Sequence, residues 1–260
     1  MKIEEIDFHI CELESMEKYP QKLFFKGNSE LLKTEKISIV GSRKPTQYAR
    51  ELTHKIASGL SAVGVSVVSG GAMGIDIIAH KSAGVHNTIM VAGTGLDKRY
   101  PAINKKVIQE IEESGLVLSQ FQAGTPSARY NFPLRNELIV ALGEALIVMY
   151  ADEDSGTMRS VEYAQKMGKQ IYVLPHRLGE SSGTNRLLQN EQAKAIYDID
   201  EFVSQFGDAQ EHKSDSDDEF LAFCRRNPSY DEALAKYAQK VFEYELLGKV
   251  AILNARVVLL

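Results

Sequence analysis

Residues 36–76 read KISIVGSRKPTQYARELTHKIASGLSAVGVSVVSGGAMGID, and this stretch decides the fold. It opens on one short run rich in Ile and Val, KISIVG, and closes on a second, VSVVSG. Both are strand length and apolar on both faces, as parallel strands sandwiched between helices must be. Between them, Tyr48, Leu52, Ile56 and Val63 fall near one face of a predicted helix. Downstream, TIMVAG, LVLSQ, ALIVMY and QIYVLP repeat the strand pattern, with longer amphipathic segments between them, up to about residue 174. Strands alternating with helices predict an α/β fold, a doubly wound parallel sheet of extended Rossmann-like type.

The flanks read differently. Residues 1–35 suggest an amphipathic helix followed by an edge strand at KLFFKG, and TNRLLQNEQAKAIYDIDEF suggests a helix, a short strand and a final helix. Residues 207–218 hold five acids and no large apolar side chain, the composition of a linker. The expected organisation is therefore a sheet domain over 1–206, an acidic linker over 207–218 and a small domain over 219–260. In the last of these, short helices, a turn at Gly248 and a hairpin-like end fit a winged-helix domain or a helical dimerisation tail.

With 44% hydrophobic and 25% charged residues in 260, this is the composition of a soluble globular protein. No run approaches the ~20 apolar residues of a membrane helix, and acids interrupt the N-terminal apolar positions where a secretory signal would need continuity. Two distant cysteines, Cys11 and Cys224, suit a reducing cytoplasm and offer no zinc spacing. A cytoplasmic protein without a membrane partner, metal or cofactor is expected. The net charge of -5 argues against nucleic acid at first sight. Much of the acid, however, lies at the N-terminus and in DAQEHKSDSDDE, whereas the loops between carry Arg43, Lys44, Lys98, Arg99, Lys105, Lys106, Arg129 and Arg135. Binding follows local potential rather than the global sum.

In an open α/β sheet, ligands bind at the carboxyl ends of the strands, where helix N-termini present free N–H groups. After the first strand, GSRKPT supplies a turn glycine, the Ser42 hydroxyl and the planar fork of Arg43, beside Lys44. A capped turn with solvated charges would read the same way. After the second, SGGAMGID brings Gly70, Gly71 and Ala72, backbone that can approach an anion closely. It is not a P-loop, because no GK[ST] follows. Asp76 reads as a first-turn acid favoured by the helix dipole. The third strand leads into GTGLDKRYPAINKKV, and the fifth into ADEDSGTMRSVEYA, where Ser155, Gly156 and Thr157 can cap a helix and donate to phosphate. Before the next helix, Arg129, Tyr130, Phe132, Arg135 and Asn136 interleave charge with rings, and unstacked bases gain roughly 1–3 kcal/mol each on such rings. Phe132 would serve equally as a core anchor. Several phosphate-type loops on one sheet edge exceed the need of a mononucleotide and suit a polynucleotide backbone.

Catalytic patterns do not emerge. HExxH and CxxC are absent, and the six histidines have no metal spacing. His54 and His80 read as packing or surface residues, and His176 alone stands near the ligand edge.

GSRKPT, SGGAMGIDIIAH, GTGLDKRYPAINKKV, NFPLRNELIVAL, DSGTMRSVEYA and PHRLGESSGTNRLLQNEQA, in this order over about residues 36–195, resemble the DprA (Smf) family of DNA-processing proteins. The resemblance implies single-stranded DNA binding without nucleotide hydrolysis, a homodimer formed through the Rossmann-like domain, and loading of RecA recombinase onto incoming DNA during natural transformation. It makes Ser42 and Arg43 phosphate contacts and lines the pocket with Gly70, Gly71 and Ala72. Arg129 takes a basic DNA position, Phe132 an aromatic one, and Ser155, Gly156 and Thr157 match the family's SGS/SGT loop. Where the family reads RNR, this chain has Arg135-Asn136-Glu137, and His176 stands where glycine is usual. The C-terminal domain of the family is often winged-helix-like, which favours that reading for 219–260. Arg225, Arg226, Lys236, Lys240 and Lys249 there would suit double-stranded DNA or a solvated surface.

A nucleotide-cleaving enzyme similar to the LOG-type phosphoribohydrolases is the alternative. Those carry GGxGTxxE, whose glutamate helps cleave an N-glycosidic bond. Gly156 and Thr157 match, but Ser160 holds the glutamate position, and Glu162 lies about 200° further around a helix.

Overall fold

The computed structural model describes residues 2–207, 219–224, 226–246, 249–253 and 255–259, in two compact units, Met1–Asp208 and Ala209–Leu260. Most of the acidic stretch and Gly248 lie outside the described residues.

In the larger unit, β1 (Glu4–Glu5), β2 (Phe24–Gly27), β3 (Lys36–Val40), β4 (Ser66–Ser69), β5 (Thr88–Val91), β6 (Leu116–Ser119), β7 (Ala145–Val148), β8 (Gln170–Val173) and β9 (Lys194–Ala195) form one sheet. Its order is β1-β2-β6-β5-β4-β3-β7-β8-β9. From β6 to β9 every pairing is parallel, while β1 and β2 add antiparallel. The crossovers are α1 (Gln47–Ala62), α2 (Ile75–Ala83), α3 (Lys105–Ser114), α4 (Asn131–Leu142) and α5 (Met158–Lys166), followed by α6 (Ser182–Gln189) and α7 (Ile199–Val203). The chain order runs outward in opposite directions from β3, so the crevice between β3 and β7 is the topological switch point, where ligands bind in such sheets.

Alternation along each strand builds two apolar layers. Ile37, Ile39, Val67 and Ile147 pack with α1, α2 and α7, whereas Val40, Val68, Leu146 and Val148 pack with α4 and α5. The face of α1 that goes inward is Ala49, Thr53, Ile56, Ala57 and Leu60. Tyr48, expected on that face, is 44% exposed and its hydroxyl reaches the Pro175 carbonyl. Small residues bring α1 close to α2, and this shifts the buried stripe away from the larger apolar side chains.

The amphipathic helix expected near the N-terminus is replaced by a 3-10 turn over Cys11–Ser15. Ile10, Leu13 and Met16 recur every third residue, the period of a 3-10 helix, and all three are buried. Glu12 anchors the turn on Lys36 at 2.7 Å. The KLFFKG strand forms, but it is second from the edge, because the two-residue β1 lies outside it.

In the smaller unit, α8 (Glu219–Cys224) and α9 (Tyr230–Leu246) precede an antiparallel hairpin of β10 (Val250–Leu253) and β11 (Arg256–Leu259). Phe220, Cys224, Ala233, Val241, Val250 and Val257 form its core. No helix among the described residues is long and apolar enough to cross a membrane, and no group of metal-ligating side chains occurs among them.

Candidate nucleic-acid interface

At the switch point the strand ends open into a cleft of about 810 Å³. The β3–α1 loop contributes Ser42, Arg43 and Lys44; Arg129, Phe132, Arg135 and Asn136 come from the start of α4 and the loop before it; Ser155, Gly156 and Thr157 precede α5. Ala72 lies between the cleft and a smaller pocket lined by Gly70, Met73, Gly93, Tyr100 and Pro101, with Arg43, Phe132 and Arg135 common to both. Five basic side chains and two acidic ones line the larger cleft, so its local charge is opposite to that of the whole chain.

Local chemistry sets each part. Thr46 caps α1 by accepting from the Ala49 amide at 3.3 Å, which turns the preceding loop back over the sheet edge. Ser42 is fixed through its backbone, donating to Tyr150 and accepting from Ile75, while its Oγ accepts from the Lys44 amide. Arg43 and Lys44 are exposed. The Ser155 hydroxyl is buried without a partner among the described residues, and no side chain caps α5, contrary to the expected capping role. Arg129 is exposed at the mouth, next to Tyr130, which is 72% exposed.

Arg135 is placed differently from a simple phosphate contact. It is 6% exposed, and Nη1 donates to the carbonyls of Gly70 and Val91, the latter at 2.8 Å. Nε donates to the Asn136 Oδ1 at 3.1 Å. The guanidinium therefore ties the ends of β4 and β5 to α4, and burial lowers its pKa from the ordinary value. Phe132 packs over Gly93 and lies 5.8 Å from the Tyr100 ring, so it is both an anchor and an aromatic wall of the site.

Gly71 lines neither cavity. It is buried, and its carbonyl accepts from Asn104, which turns that backbone away from the cleft. His176 also stays outside the lining: its ring bonds the Met149 carbonyl at 2.9 Å and meets Tyr48 and Tyr150 edge-on. Asp76 is more than a surface cap, being 7% exposed on the cleft. Sequence reading also missed Arg159, which lines the cleft and bonds Glu162 at 2.7 Å. Its signal was its place in the first turn of the helix after the SGT loop.

A doubly wound sheet with an open cationic cleft at its switch point places the chain among the α/β proteins. The family profile described as DNA recombination-mediator protein A matches residues 7–207, and the chain belongs to that family. It is 37% identical over 191 residues to the DNA processing protein DprA of Streptococcus pneumoniae R6, covering 72% of this chain and 67% of that protein. Identity to the Smf protein of Synechocystis is also 37%, over 175 residues, and there the match spans only 44% of the relative. Among solved structures, DNA processing protein A of Helicobacter pylori, characterised for its single-stranded DNA binding mode, superposes with a TM-score of 0.77 at 40% identity. That similarity covers 78% of this chain and 95% of the other.

Proposed function

We propose that the cleft holds the sugar–phosphate backbone of single-stranded DNA, and that the chain acts as a recombination mediator rather than an enzyme. The observation that carries this reading is the convergence of three strand-end loops, with Ser42, Arg43, Arg129, Ser155 and Thr157, on one cleft open at the sheet edge. Hydroxyls, guanidinium groups and backbone amides are the donors that phosphate oxygens take. Exposed rings at the mouth give unpaired bases somewhere to stack. By family resemblance, the protein works in the cytoplasm as a homodimer and passes its DNA to RecA. The hairpin-bearing small unit then serves as a winged-helix module for double-stranded DNA.

The phosphoribohydrolase alternative is not favoured. Ser160, not a carboxylate, lines the cleft at the critical helical position, while Glu162 is exposed and paired with Arg159.

Titration with single- and double-stranded oligonucleotides at several salt concentrations tests the proposal. Tighter, salt-sensitive binding of the single strand is expected, and indifference to it at low ionic strength would refute the reading. Arg43→Ala should weaken oligothymidine binding about 10- to 100-fold, the loss of one charge-assisted hydrogen bond. The salt slope should shrink by about 0.7. An unchanged affinity would remove Arg43 from the site.

A further inference from the structure

The floor of the cleft carries a charge that phosphate gripping does not call for. Asp76, in the first turn of α2, is nearly buried there, and its Oδ2 accepts from the Ala72 amide at 3.4 Å. Two charged groups face it from neighbouring elements, Arg135 from α4 and Arg43 from the β3–α1 loop. On α2 itself, His80 stands one turn further along the same face and is fully buried. Its Nδ1 lies 2.7 Å from the Thr88 Oγ1, whose own proton goes to the Val67 carbonyl. The ring therefore donates from Nδ1, and Nε2 is left as a buried acceptor without a partner among the described residues. Burial, reinforced by Arg135, lowers the His80 pKa to about 3, so the ring stays neutral.

A carboxylate on a loop amide occupies the kind of donor that a phosphate oxygen seeks. We propose that Asp76 is a built-in competitor for phosphate at the glycine loop, and that DNA binding is coupled to uptake of one proton by its carboxyl group. The proton comes from solvent, and no bond of the nucleic acid changes. Once protonated, Asp76 no longer repels the phosphate, and the bare His80 Nε2 stands one helical turn along the same face. This inference rests on reading the cleft as a phosphate-chain site.

The sign follows from linkage. Burial raises the Asp76 pKa to about 6 in the free protein, against the attraction of Arg135 and the Ala72 amide. A phosphate alongside raises it further, because like charges disfavour ionisation. Between the free and bound pKa values the complex holds more protons than the free protein, so affinity rises as pH falls through that window.

Fluorescence anisotropy with labelled oligothymidine, at constant ionic strength from about pH 5.5 to about pH 8, tests this. Wild type should tighten toward acid, by about tenfold for each unit by which phosphate raises the carboxyl pKa. Asp76→Asn should show a flatter profile and, near the alkaline end, bind more tightly than wild type. A variant that binds more weakly, or a flat wild-type profile, overturns the proposal. Wild type that binds no oligonucleotide at any pH sinks the cleft reading and this inference together. Should the variant not fold, calorimetry of wild type in two buffers of different ionisation heat reads proton uptake directly, and none between about pH 6 and 7 refutes the coupling.

Discussion

Arg135→Ala is expected to destabilise the Met1–Asp208 unit by on the order of 3–5 kcal/mol, a fall in Tm of roughly 6–20 °C, and to abolish oligonucleotide binding. The side chain is buried, and Nη1 satisfies two carbonyls at the ends of adjacent strands. Truncation leaves both acceptors unpaired and removes the strongest positive influence on the Asp76 carboxylate. With that tie between β4, β5 and α4 removed, the glycine loop loses its fixed position. Arg135→Lys separates the two roles, because it keeps a charge but loses the planar fork. Thermal denaturation and an anisotropy titration of both variants check the point. An alanine variant with wild-type Tm would show that the guanidinium is a surface phosphate contact after all.

Gly74→Ala should cost at least about 1–3 kcal/mol through backbone strain alone and should weaken oligonucleotide binding by more than about tenfold. Gly74 sits at φ 84° and ψ -128°, a region that side chains other than hydrogen avoid. A Cβ there would run into the Ser42 carbonyl and approach the Arg43 Cα to 2.7 Å. The glycine is thus the point where the β4–α2 loop touches the β3–α1 loop, and the methyl group must push Ser42 and Arg43 away from the proposed phosphate track. Affinity measured on folded variant, with circular dichroism to establish the fold, distinguishes displacement from unfolding. Full affinity in a stable Gly74→Ala protein would mean that the two loops need not touch.

These effects show where sequence stops being sufficient. KISIVG, VSVVSG and ALIVMY could only be buried parallel strands, because a run that is apolar on both faces has no solvent side to offer. Glycine, hydroxyl and arginine after such strands marked the expected ligand edge, and the fold brings Ser42, Arg43, Arg129 and Thr157 to one cleft. Less was legible in residues 1–35. Ile10, Leu13 and Met16 suit an α-helical stripe almost as well as a 3-10 turn, and docking against α4 and Lys36 decides between them.

Sequence by itself determined the α/β class, the edge of the sheet where the cleft opens, and the chemical types of donor gathered there, since all three depend on local periodicity and on residue type. Tertiary structure alone decided which of those donors are spent inside the protein. Arg43 and Arg135 look alike in the chain, yet one points to solvent and the other holds two carbonyls, because only strand order and helix packing determine which side of a loop is wet. The same holds for Asp76: burial changes a helix-cap acid into a titrating group, and burial is a property of neighbours distant in sequence.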